Sequence, residues 1–245
     1  LKTLTNKPFN VNFFCHETPK VSPLQTQTWH QRLSGYFQEL GIELPGEGQG
    51  VSREPFGEDA LVVLGQCKPA VVSFHFGLPQ PALLDQLKSW GTTILSSATT
   101  VEEAQWLAEH GVDAVIAQGL EAGGHRGSFL TQDMTMQTGT MALVPRVSEA
   151  VSVPVIAAGG IASPEGVAAA ITLGASAVQI GTAFLLCHEA KTSALHRAAL
   201  SGNASHHTAL TNVFTGRPAR SIVNRLVREV GPMTSAATAF PFAAG

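Results

Sequence analysis

The stretch Asp113-Ala-Val-Ile-Ala-Gln-Gly-Leu-Glu-Ala-Gly-Gly-His-Arg-Gly127 holds the residues best suited to chemistry. An apolar run, Ala114 to Ala117, has the character of a strand buried on both faces. It gives way to a loop with Gln118, Glu121, His125 and the glycines Gly119, Gly123, Gly124 and Gly127. Glycine lets a backbone approach a flat or anionic ligand, and histidine exchanges protons near neutral pH. A tight turn with a surface histidine is the plainer account of an isolated Gly-Gly-His. The strand ends that follow weigh against it.

Val153-Pro-Val-Ile-Ala-Ala-Gly-Gly-Ile-Ala-Ser-Pro-Glu-Gly-Val167 places two glycines at a strand end, with a helix starting a few residues on. Amides at Gly159, Gly160 and Ile161 then suit an anion. One strand later, Val178-Gln-Ile-Gly-Thr182 adds further amides and a hydroxyl. Two adjacent glycine-bearing strand ends make a phosphate cradle, and a sugar phosphate, a nucleotide or flavin mononucleotide (FMN) would each fit it. No strand end carries a catalytic lysine or paired carboxylates, which turns the reading away from Schiff-base and metal-enolate chemistry. A cofactor with its own reactivity is the economical alternative.

The elements that must position these groups alternate. Strands are expected from Lys7 to Phe14, Ala70 to Phe76, Thr92 to Ala98, Val112 to Gly119, Pro154 to Ala158 and Ala177 to Gly181. Helices are expected over Leu24 to Leu40, Pro81 to Trp90, Thr100 to His110, Gly139 to Val151, Ser163 to Leu173, Phe184 to Leu200 and Ile222 to Val230. A loop insertion is expected around 43–60. Strand-helix repetition implies a parallel sheet, and glycine-rich ends late in the chain favour a closed barrel over a doubly wound sheet. The fold class is therefore α/β, a TIM (β/α)8 barrel in one domain over 1–245. Six strands are counted where eight are needed, so the expectation is that two βα units belong before Leu1.

Composition agrees with an enzyme: 245 residues, 44% hydrophobic and 13% charged, with 24 glycines. A net charge of -3 with no basic stripe argues against nucleic acid or an anionic membrane. Cys15, Cys67 and Cys187 are scattered and form no CxxC pair, so they are expected as thiols in a reducing compartment. With no leader or apolar span in view, the cytoplasm is the expected location. His16 reads as loop structure and His206-His207 as surface. No metal site is expected, and Arg217, Arg220, Arg225 and Arg228 mark a basic C-terminal surface.

Asn12-Phe-Phe-Cys-His16, Val72-Ser-Phe-His-Phe-Gly77, Leu95-Ser-Ser-Ala-Thr99, Ala117-Gln-Gly-Leu-Glu-Ala-Gly-Gly-His-Arg-Gly127, Ala157-Ala-Gly-Gly-Ile161 and Val178-Gln-Ile-Gly-Thr-Ala-Phe184 together resemble the class I nitronate monooxygenases. The resemblance implies an FMN-dependent TIM barrel that oxidises alkyl nitronates, such as propionate 3-nitronate, with dioxygen to a carbonyl compound and nitrite. It implies that Gln118, Gly123 and Gly124 border the flavin and that Gly159, Gly160, Gln179, Gly181 and Thr182 hold its phosphate. Asn12 is then expected near the ring, and His125 corresponds to the active-site histidine. His75 is a candidate substrate contact. Expected partners are a small nitronate and dioxygen, with a homodimer as an assembly to test. FMN-dependent enoyl-thioester and NADH:quinone reductases share the barrel and the Gly-Gly-His loop, and a non-catalytic flavin-binding remnant is the alternative of another class.

Overall fold

A computed structural model of the chain describes residues 5–43 and 53–244, so half of the expected insertion, 44–52, lies outside the described residues, as does 1–4 of the N-terminal stretch. Two compact units are built from interleaved segments. The first contains Leu1–Glu17, Pro55–Ala122 and Gly127–Gly181; the second contains Thr18–Glu54, Gly123–Arg126 and Thr182–Gly245.

The first unit is a parallel sheet of six strands, β1 (Asn10–Phe14), β2 (Val71–His75), β3 (Thr93–Ala98), β4 (Ala114–Gln118), β6 (Val155–Ala158) and β7 (Ala177–Gln179), lying in chain order. A doubly wound sheet reverses direction at a switch point, and this one does not. Helices α2 (Glu58–Cys67), α3 (Pro81–Ser89), α4 (Val101–Glu109), α5 (Thr140–Ala150) and α6 (Pro164–Thr172) connect the strands.

Side chains alternate across a sheet, so register assigns each residue a face. One face sends Val72, Phe74, Ile94, Ala98, Val115, Ala117, Val155 and Ala157 into a core with Leu64, Leu87, Leu107, Leu143, Val147 and Ala170 of the helices. The other face is polar toward the carboxyl ends of the strands. Asn12 pairs with Ser73, Phe14 with His75, Gln118 with Ala158, and Ala158 with Gln179. A sheet greasy on one side and polar on the other has its helices on the first and its chemistry on the second.

The second unit holds a three-stranded antiparallel sheet, β5 (Gly124–His125), β9 (Ala219–Ile222) and β8 (Thr208–Thr211), in the order β5-β9-β8. Its helices are α1 (Pro23–Leu40), α7 (Ala194–Ser201) and α8 (Arg225–Val230). Trp29 of α1 is 1% exposed, among Val213, Val227, Val230 and Ala243, and its indole N–H donates to the Ala243 carbonyl at 3.2 Å.

Several expectations are corrected. Residues 58–60, expected within the loop, begin α2, whose first turn carries Glu58 and Asp59 where the helix dipole favours acid. The helix expected from Phe184 to Leu200 is two elements, a 3-10 turn at Thr182–Leu186 and α7. Arg197 donates to the carbonyls of Leu186, Cys187 and Ala190, which closes the intervening turn, and the Ser193 hydroxyl accepts from the His196 amide to start α7. The first strand starts at Asn10 rather than Lys7, and Ile222 ends β9 rather than opening a helix.

Candidate active site

The carboxyl end of β4 is the most tightly built part of the first unit. Gln118 is buried and its Oε1 accepts from the Gly127 amide at 2.8 Å, which closes the excursion from Gly119 to Arg126 into a loop with fixed ends. A Cβ on Gly127 would stand 2.7 Å from His75 Cε1 and 3.1 Å from Ser97 Cβ, so glycine is required for the loop to lie against that histidine. His75 packs beside Phe14 and Phe76, with ring centroids 5.8 and 4.6 Å away. Phe76 has φ of 71°, a left-handed backbone rare for a bulky residue, and the Ser96 hydroxyl holds the turn by donating to the Gly77 carbonyl at 2.8 Å. At the β1 edge, Asn10 Nδ2 donates to Ser73 Oγ at 2.7 Å and Ser73 Oγ donates to Asn12 Oδ1 at 2.8 Å, orienting the exposed Asn12.

Beyond β6, Gly159 and Gly160 have φ of 114° and 70°. Successive residues of this kind turn their N–H groups into a concavity suited to an anion. Among the described residues, the amides of Gly159, Gly160 and Ile161 donate to no other protein group. Gln179 lies exposed on β7, and a Cβ on Gly181 would meet nothing within 4 Å. Unengaged amides beside open space fit the phosphate of the flavin that the resemblance implies.

The second unit holds the remaining candidates. A Cβ on Gly123 would stand 2.5 Å from Thr182 Oγ1, so these two are neighbours, while the φ of 78° at Gly124 lets the chain enter β5. His125 pairs with Ala219 of β9, faces the edge of Phe240 at 5.2 Å, and has Nε2 2.9 Å from Thr215 Oγ1. That hydroxyl also lies 3.4 Å from the Arg217 carbonyl, and the imidazole tautomer decides which partner donates in the His125–Thr215 bond. Burial, then the charges of Arg217 and Arg53, lower the imidazole pKa to about 4, so His125 is neutral at pH 7.

Gln118, His75, Asn12, Gly159, Gly160, Gln179 and Gly181 thus belong to the first unit, and Gly123, Gly124, His125 and Thr182 to the second. Sequence reasoning passed over two carboxylate anchors. Glu103 of α4 is fully buried: one oxygen accepts from the Thr99 amide and hydroxyl at 2.7 and 2.8 Å, the other from the Phe129 and Leu130 amides at 2.6 and 3.1 Å. Glu121 plays the same part at the start of α5, where its Oε2 accepts from the Thr140 amide and hydroxyl. The Thr100-x-x-Glu103 spacing was a visible signal for the first; nothing local marked the second. Among the described residues no group of three or more His, Cys, Asp or Glu could hold a metal ion, and no helix is long and apolar enough to cross a membrane.

Comparison with known proteins identifies the family. The Nitronate monooxygenase family model matches residues 1–244. A nitronate monooxygenase of Pseudomonas aeruginosa is 45% identical over 228 residues, 92% of this chain and 65% of that protein. The structure of a nitroalkane oxidase from Streptomyces ansochromogenes superposes with a TM-score of 0.88 at 39% identity, covering 99% of this chain and 69% of that one. FabK from Thermotoga maritima superposes at 0.65 with 31% identity, over 93% and 58% of the two chains. The chain therefore spans about two thirds or less of the length of most of these relatives. A family model matching nearly every residue and a strand order without reversal lead to one conclusion: the chain belongs to the nitronate monooxygenase family.

Proposed function

We propose that the protein is an FMN-dependent nitronate monooxygenase of the (β/α)8 barrel type, which oxidises alkyl nitronates such as propionate 3-nitronate with dioxygen to a carbonyl compound and nitrite. When bound, FMN supplies the capacity to take electrons from the nitronate and pass them to dioxygen. Gly159, Gly160, Gln179, Gly181 and Thr182 hold its phosphate, Gln118, Gly123 and Gly124 border it, and Asn12 lies toward its ring. His75 contacts substrate.

The observation that carries the reading is the setting of His125: a neutral imidazole near two arginines. The arginines favour an anionic ligand, and the neutral imidazole of His125 accepts a proton or orients on a donor. An imidazole with a pKa of about 4 is a weak base for a carbon acid, so preformed nitronates are the preferred substrates and neutral nitroalkanes are poor ones.

Replacing His125 by Asn and measuring kcat/KM on nitroethane and on ethylnitronate tests this. Turnover of nitroethane, already slow in the wild type, is expected to fall by less than the roughly 100-fold that a well-matched general base contributes, and that of ethylnitronate to fall by at least as much as that of nitroethane. Wild-type rates on both substrates would remove His125 from the mechanism. Anaerobic reduction of the flavin by NAD(P)H and not by ethylnitronate would overturn the activity itself.

A further inference from the structure

Four glycines from three stretches of chain close on one pair of side chains. Oε2 of Glu121 accepts from the Thr140 amide at 2.8 Å and from the Thr140 hydroxyl at 2.9 Å. The same hydroxyl lies 2.9 Å from the Gly159 carbonyl oxygen and 3.5 Å from that of Ala158, so its single proton is shared chiefly between Glu121 and Gly159. A Cβ on Gly119 would overlap the Thr140 hydroxyl and backbone. On Gly139 it would stand 2.8 Å from Glu121 Oε1, on Gly159 2.9 Å from Thr140 Oγ1, and on Gly160 3.2 Å from Glu121 Cβ. These glycines are required because Glu121 and Thr140 occupy the space beside them.

The arrangement has an electrostatic side. The Glu121 carboxylate engages the first amide of α5, so the positive end of that helix already has its anion. Among the described residues, the amides of Gly159, Gly160 and Ile161 have none. The Thr140 hydroxyl ties the carbonyl side of the same turn, and a peptide held at its carbonyl has the direction of the following N–H fixed as well.

We infer that Glu121 and Thr140 form a brace that aims the Gly159-Gly160 turn, making them positioning residues for recognition of the flavin phosphate. This rests on the assignment of that phosphate to Gly159 and Gly160 made above. On that assignment the brace acts on the part of the cofactor that distinguishes FMN from riboflavin.

Affinities of the apo-protein for FMN and for riboflavin, read from quenching of flavin fluorescence, isolate that part as a ratio. The wild type is expected to favour FMN by roughly 100-fold, as several hydrogen bonds to a charged group would give. Thr140→Val removes the hydroxyl at constant shape and is expected to lower the ratio by about 10-fold through FMN alone, with riboflavin affinity unchanged. Thr140→Ser restores the ratio. Glu121→Gln, which keeps the volume and one acceptor oxygen, moves it in the same direction by a smaller factor and serves if the valine variant does not fold. Variants that keep the wild-type ratio, including any in which both affinities fall together, overturn the brace and leave the phosphate assignment standing. A wild type that does not distinguish FMN from riboflavin overturns the assignment, and the brace with it.

Discussion

His125 carries a pH signature that separates its setting from that of an ordinary histidine. The unfolded chain takes up a proton near pH 6.5, while the folded protein resists protonation there until about pH 4. Stability associated with this residue is therefore complete above about pH 6.5 and declines as the pH falls toward 4. Urea midpoints at pH 7 and pH 5 measure the loss, and His125→Gln is expected to shrink it because a glutamine has no proton to take up. An unchanged difference between the two pH values would mean that other groups account for it. Cys15 shows the same cause acting on a thiol, since burial pushes its pKa up to about 12 and leaves it inert near neutrality. Residue identity was the most legible level of this protein. The glycines stood out from sequence, yet the close approaches of Gly119, Gly139, Gly159 and Gly160 to Glu121 and Thr140 join residues up to 39 positions apart, and no local pattern encodes them.

The segment Gly127–Gly139 between β4 and α5 hangs on one carboxylate. Glu103 receives four hydrogen bonds, and Gln137 Nε2 donates at 3.0 Å to the Thr99 hydroxyl that is one of the donors. Glu103→Ala leaves the buried Thr99 amide and the part-buried Phe129 and Leu130 amides without their acceptor, at a cost of about 2–4 kcal/mol. Denaturant unfolding measures the total, and amide exchange at Phe129 and Leu130 locates it; unaltered protection at both would refute the anchor. At this scale the parallel strands and most of their helices were readable, because periodicity reports burial on one face or two. Helix α2 was masked by the Gly and Pro residues before it. The β5-β9-β8 ladder was unreadable for a different reason: β5 is two residues long and meets β9 more than 90 residues later, so its partner exists only in the fold.

The second unit depends on a side chain from near the start of the chain. Trp29 packs with Val213, Val227, Val230 and Ala243, and Trp29→Ala is expected to cost about 3–5 kcal/mol, the usual price of deleting a buried aromatic. Trp29→Phe keeps most of the packing and loses the bond to the Ala243 carbonyl, a loss of about 1 kcal/mol. Thermal unfolding of the two variants gives the comparison, and equal losses would assign the indole's contribution to its N–H rather than its bulk. The glycine-rich strand ends late in the chain pointed to a barrel rather than a doubly wound sheet, and the six parallel strands do lie in chain order.

The Trp29 to Ala243 bond spans 214 residues, and the strand carrying His125 waits for Ala219. On a ribosome the parallel strands can begin to assemble as each emerges, but the imidazole's surroundings cannot exist until Ala219 has been released. A nascent chain stalled before Ala219 would therefore hold the parallel strands without the strand partner of His125.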